Sequence, residues 1–149
     1  MMNRSAPTAT IVPILIYEDV GAALAWLCGA FGFVERLRVP GPGGAITHAQ
    51  LTVREGAIML GRRGGPFGSP RDSVNQYVHV SVDDVDRHFE HAKQFGAKIL
   101  SAPSTQPFGE RQYTAEDPSG HWWTFSQHVA DVAPADWGAI EAPKNPVRT

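Results

Sequence analysis

The sequence is poor in the features that would fix its chemistry at a glance. It has a single cysteine, Cys28, which excludes an intrachain disulfide and any multi-cysteine metal site and fits a reducing compartment. Charge of one sign is also lacking. A formal net charge of −2 gives no basis for a nucleic-acid or anionic-membrane partner. No apolar run approaches the roughly 20 residues of a membrane span. Met1 to Thr10 lacks the apolar middle of a signal peptide and reads as a short flexible arm, so the expected location is cytoplasmic. No Gly-x-Ser-x-Gly elbow and no dinucleotide fingerprint occurs. Arg62-Arg63-Gly64-Gly65 lacks the Lys-Ser/Thr of a phosphate loop and reads as a solvated linker.

What is present suits one domain. The 149 residues, 42% hydrophobic and 19% charged, are enough to bury a core without a disulfide or metal. Ile11 to Tyr17 is a β-branched run and reads as a strand, with Pro13 near its start. Glu18-Asp19 caps a helix to about Phe31, whose buried stripe is Val20, Leu24, Leu27 and Phe31. Cys28 on this helix reads as buried and inert, since no cation beside it would stabilise a thiolate. Gly32 ends the helix. Strands follow at Phe33–Val39, Ile46–Val53 and Ala57–Leu60. A long loop follows, whose Phe67 could reach over a site.

Then the pattern restarts: a strand at Gln76–Val82, an Asp83-Asp84 cap, and a helix with the stripe Val85, Phe89, Ala92 and Phe95 ended by Gly96. Strands follow at Lys98–Ser101 and Glu110–Glu116. A tight Asp117-Pro118-Ser119-Gly120 turn leads into the last strand, which starts at His121. Glu18-Asp19-Val20 is matched by Asp83-Asp84-Val85 at an offset of 65 residues, and Phe31-Gly32 by Phe95-Gly96 at 64. The expected fold is α+β: two tandem βαβββ modules, about 11–61 and 76–128, joined by loop 62–75. They form a cup-shaped sheet with helices on the outer face and a cleft between the uncovered faces. Residues 129–149 read as an irregular tail whose Trp137 docks on this chain or on a partner.

Paired βαβββ units, the Ala30-Phe31-Gly32-Phe33 helix end, the Val82-Asp83-Asp84-Val85 helix start and Asp117-Pro118-Ser119-Gly120-His121 before the last strand resemble the vicinal oxygen chelate superfamily. That superfamily includes glyoxalase I, the extradiol dioxygenases, fosfomycin-resistance enzymes and bleomycin-resistance binding proteins. The resemblance covers roughly Ile11 to His128 and implies a homodimer. It also implies one divalent metal held by His or Glu at four strand positions. Those positions fall on Val12, Met59 (or Leu60 with a one-residue slip), Tyr77 and Thr124. None is a good ligand for a divalent cation, so no metal and no other cofactor is expected.

Strand alternation assigns the cup lining to His48, Gln50, Thr52, Met59, Tyr77, His79, Arg111, Tyr113, Trp122, Thr124 and Ser126. His48, His79 and Tyr77 are the candidate acid–base groups, against the plainer reading of histidines hydrogen-bonded inside a sheet. Arg111 suits a carboxylate or phosphate clamp, against an exposed edge arginine balancing nearby acids. The expected function is metal-independent binding of an organic small molecule, as in the bleomycin-resistance branch. The alternative is a lyase, isomerase or hydrolase of the same fold using His/Tyr acid–base chemistry without the metal. A metal-dependent glyoxalase or dioxygenase comes third, and a purely structural interaction module fourth. Whether the chain catalyses anything is open at this level.

Overall fold

A computed structural model describes residues 4–64 and 74–143; Phe67 and most of its loop lie outside them. The first module runs β1 (Ile14–Tyr17), α1 (Val20–Phe31), β2 (Val34–Pro40), β3 (Ile46–Val53) and β4 (Gly56–Arg62). The second runs β5 (Val78–Ser81), α2 (Val85–Phe95), β6 (Lys98–Thr105), β7 (Glu110–Glu116) and β8 (Trp122–His128). Each module forms a four-stranded sheet of the same order, β1-β4-β3-β2 and β5-β8-β7-β6. In each, the first and last strands pair in parallel and the other neighbours are antiparallel. The internal repeat is therefore a repeat of topology.

The helices form where the caps dictate. Asp19 accepts from the Ala22 amide and Asp84 from the Arg87 amide, both at the third residue past the cap. Gly32 (φ 75°) and Gly96 (φ 106°) end the helices in the left-handed region. The α1 stripe is buried throughout, whereas in α2 Phe95 stays 48% exposed. Its ring instead lies over Gly29 of α1, where a Cβ would stand 2.4 Å from the ring. The missing side chain at Gly29 lets the two helices touch.

Some strand limits differ from the expected ones. β5 begins at Val78, leaving Tyr77 outside the sheet and 62% exposed. β6 runs past Ser101 to Thr105 because register shifts on either side of Ser101 absorb Pro103, which cannot donate to a regular ladder. In the tail, Val129 and Ala130 amides donate to the Gly109 carbonyl, and Trp137 lies against Phe108 of this same chain (5.5 Å between centroids).

Both helix-bearing faces contribute to one core. Phe31 packs on Trp123 and Phe125 at 5.7 and 4.7 Å between centroids, and Phe33 on Trp123 at 5.4 Å. The uncovered face of each sheet lies on the far side from this core. Among the described residues the two uncovered faces therefore do not enclose the expected cleft between them, because the helix-bearing faces pack on each other instead. Two polar links, one buried and one half-buried, cross between the modules. The Asp117 carboxylate, 3% exposed, accepts from Tyr17 Oη (2.6 Å), Trp123 Nε1 (3.2 Å) and the Ser119 and His121 amides (3.1 and 3.0 Å). The Tyr17 phenol is pushed well above its ordinary pKa by burial and by the Asp117 charge, so it stays a donor. The second link is His88 of α2. Its Nε2 meets the Phe31 carbonyl (2.9 Å) and its Nδ1 meets Tyr113 Oη (2.5 Å). A carbonyl can only accept, so Nε2 carries the proton and Nδ1 accepts from the phenol. Burial holds the Tyr113 phenol above its ordinary pKa, which keeps that proton in place.

Two predictions follow from these links. Asp117→Ala strands the Tyr17 and Trp123 donors and should lower the free energy of unfolding by about 3 kcal/mol or more, measured by urea titration. The His88 pKa is held below its ordinary 6.5, first by burial and then by the His91 charge, against the raising effect of the Phe31 carbonyl. The native state thus prefers the neutral ring. Its contribution to stability is complete above about pH 6.5 and is lost as pH falls through the lowered native pKa. Unfolding free energy should fall as pH drops from about 7 through the lowered His88 pKa, with a shallower slope in His88→Gln.

Candidate functional site

The uncovered face of the second sheet is set by the hairpin register. β7 and β8 pair Glu116 with Trp122, Thr114 with Thr124, Gln112 with Ser126 and Glu110 with His128. β5 adds His79 beside Thr124 and Ser81 beside Ser126. Paired residues project to the same side, so these groups share one face. Trp122 forms an aromatic wall at one end, its Nε1 donating to Glu116 Oε1 (3.1 Å). At the centre, Thr124 and Thr114 hydroxyls are hydrogen-bonded at 2.8 Å.

The other end of the face is a polar chain. Gln112 Nε2 donates to Ser126 Oγ (3.1 Å), Ser126 Oγ donates to Glu110 Oε1 (2.9 Å), and His128 Nδ1 lies 2.5 Å from Glu110 Oε2. Burial pushes the Glu110 pKa up. The hydrogen bonds from His128 and Ser126, with the charges of His128 and His79, outweigh that and hold the carboxyl below its ordinary value. Exposed His79 also lines a cavity of about 420 Å³ along the open edge of β5, together with Ile11, Pro13, Val53, Arg54 and Trp123.

Arg111 and Tyr113 are not on this face, which corrects the expected lining. Tyr113 pairs with Phe125 and is fully buried on the helix side; Arg111 pairs with Gln127. Arg111 forms a two-pronged ion pair with Asp86 of α2, so its guanidinium is already matched. Their places on the uncovered face are taken by Glu110, Gln112 and Thr114. Tyr77 is exposed and ahead of the sheet, and joins none of these groups. Cys28 is only partly buried; burial, followed by the Glu35 charge, pushes its thiol pKa up, which disfavours a reactive thiolate.

On the first sheet the β3–β4 register puts His48, Gln50, Thr52 and Met59 on the uncovered face. Gln50 is 2% exposed, and its Nε2 donates to the Ser5 carbonyl (2.9 Å) and to His48 Nε2 (3.1 Å). Arg36, absent from the expected lining, donates to Gln50 Oε1. It sits where the β2 register shifts between Glu35 and Leu37, so simple alternation does not place it.

The metal that the resemblance implies does not fit these residues. Val12, Met59, Tyr77 and Thr124 offer neither imidazole nor carboxylate. Among the described residues no three His, Cys, Asp or Glu side chains gather as a metal-binding group.

Comparison with known proteins agrees with the topology. A family model described as Glyoxalase/Bleomycin resistance protein/Dioxygenase superfamily matches residues 9–125. An uncharacterized protein of Mycobacterium bovis is 34% identical over 127 residues, covering 80% of this chain and 84% of its own. The crystal structure of TioX from Micromonospora sp. ML1 superposes with a TM-score of 0.67 at 35% identity, covering 81% of this chain and 99% of that one. The fosfomycin resistance protein FosX of Listeria monocytogenes, at 15% identity, has a TM-score of 0.61, covers 80% of this chain and 93% of its own, and shares the fold alone. Two topologically equivalent βαβββ modules, a matching family model over most of the chain and relatives at a third identity lead to one conclusion: the chain belongs to the glyoxalase/bleomycin resistance protein/dioxygenase superfamily.

Proposed function

We propose that this protein binds an organic small molecule on its uncovered sheet faces without the superfamily's four-ligand metal. The observation that carries this reading is the second sheet's face. An aromatic wall at Trp122 leads onto a floor of Thr114, Thr124, Gln112 and Ser126, with hydrogen-bonding groups where ligating groups would stand. An aromatic surface beside fixed hydrogen-bonding groups suits an organic ligand with a planar part and polar substituents. The protein acts as a homodimer in this reading. Ile14, on the open edge of β1, is 57% exposed, and such an apolar edge is suited to burial by a second copy.

A second reading, acid–base catalysis without the metal, is favoured by one observation. His79 stands exposed on the same face as the Glu110–His128 pair, close enough for its charge to act on Glu110.

The test has two steps. Purified protein is incubated with nickel, cobalt, zinc and manganese, desalted and analysed by mass spectrometry; it should retain well below one metal per chain. Near-stoichiometric metal would overturn the reading. A screen of aromatic and anionic ligands by calorimetry should then give binding that weakens at least tenfold in Trp122→Ala and is unchanged in Arg111→Ala. Substrate turnover that His79→Ala abolishes would move the assignment to the second reading.

A further inference from the structure

The first sheet's uncovered face is already occupied by part of the chain itself. Arg36 Nη2 donates to the Ala6 carbonyl (3.1 Å) and to that of Arg4 (3.4 Å), while Gln50 Nε2 donates to the carbonyl between them, Ser5 (2.9 Å). Two side chains thus meet three successive backbone oxygens of the N-terminal arm, and Pro7, the next residue, is buried. The pair is built to donate. Arg36 Nη1 holds Gln50 Oε1, which turns the Gln50 amide nitrogen toward the arm, and His48 Nε2 takes that nitrogen's other hydrogen.

Arg36 differs from four other arginines of the chain in what it faces. Arg38, Arg54, Arg63 and Arg111 each face a carboxylate, of Glu35, Asp83, Glu18 and Asp86 respectively. Among the described residues Arg36 has only neutral acceptors: an amide and the arm carbonyls. A partly buried guanidinium bonds a carboxylate more strongly than it bonds an amide oxygen, because the pair is charge-assisted and the fork matches both oxygens.

We propose that Arg36 and Gln50 form a subsite for a ligand carboxylate, and that the arm, residues 4–7, is a tethered competitor that fills this subsite until such a ligand displaces it. The proposal rests on the reading that ligands enter the uncovered faces. It adds the anionic group they carry and the segment that must leave. Because the arm is covalently attached, it competes at a high effective concentration, and removing it should strengthen carboxylate binding.

The experiment follows the Gln50 side-chain amide and Arg36 Nε signals by ¹⁵N NMR while sodium benzoate is added at constant ionic strength, with neutral benzamide as control. It compares the full chain with a variant lacking residues 1–8. Benzoate should bind the shortened chain with a dissociation constant at least tenfold lower than the full chain. Benzamide should bind more weakly in both, and Arg36→Met in the shortened chain should abolish the benzoate response. Pro7→Ser in the full chain loosens the arm without shortening the protein, and should give an intermediate constant if the deletion impairs folding. Equal constants with and without the arm, no response in any variant, or a response that survives Arg36→Met would each overturn the proposal. The ligand screen on the intact chain tests small-molecule binding separately, since Trp122 lies on the other sheet.

Discussion

The Asp117 carboxylate is the constraint on which the relation between the two halves depends. It is buried, and a buried carboxylate is tolerable only when its lone pairs are filled. One oxygen takes two amides of its own turn, which fixes the turn. The other takes the Tyr17 phenol from the first module and the Trp123 indole from the second, which fixes the modules to one another. Tyr17 is the last residue of β1, and Trp123 stands where β8 enters the core. A single side chain thus sets the start of β8, and with it the register of every residue on the second sheet's face.

Much of this was legible in the sequence. Ile46–Val53 and Glu110–Glu116 are strands over the expected residues, because turn residues bound clean alternation on both sides. The α1 stripe is buried as its spacing requires. The repeat was readable because Asp caps and Gly stops occupy equivalent places in both halves. The tandem topology follows from that equivalence.

The site was less legible, for a reason that Tyr113 illustrates. Alternation within one strand says which residues share a side, but not which side of the next strand they join. That is decided by the turn. Five residues separate Glu116 from Trp122, so pairing counts outward from those two and sets Thr114, not Tyr113, beside Thr124. The signal was in the turn length rather than in the strand. Arg36 was hidden differently: a register shift in β2 breaks the count, and no residue type announces it. The arm's place could not be read at all. Arg4, Ser5 and Ala6 meet the sheet through main-chain carbonyls, which every sequence has in equal number.

The irregularities in β2 and β6 have a consequence for how such sheets can grow. Both are the outermost strands of their sheets, both carry two register shifts, and each contains a proline, Pro40 and Pro103. An incoming strand that tried to extend either sheet from outside would meet gaps in the ladder and a missing amide. The opposite edges, β1 and β5, pair without register shifts with their single neighbours. Each sheet is therefore open to strand addition at one end and closed at the other, and runaway edge-to-edge polymerisation is blocked by the same kinks that bend the outer strands.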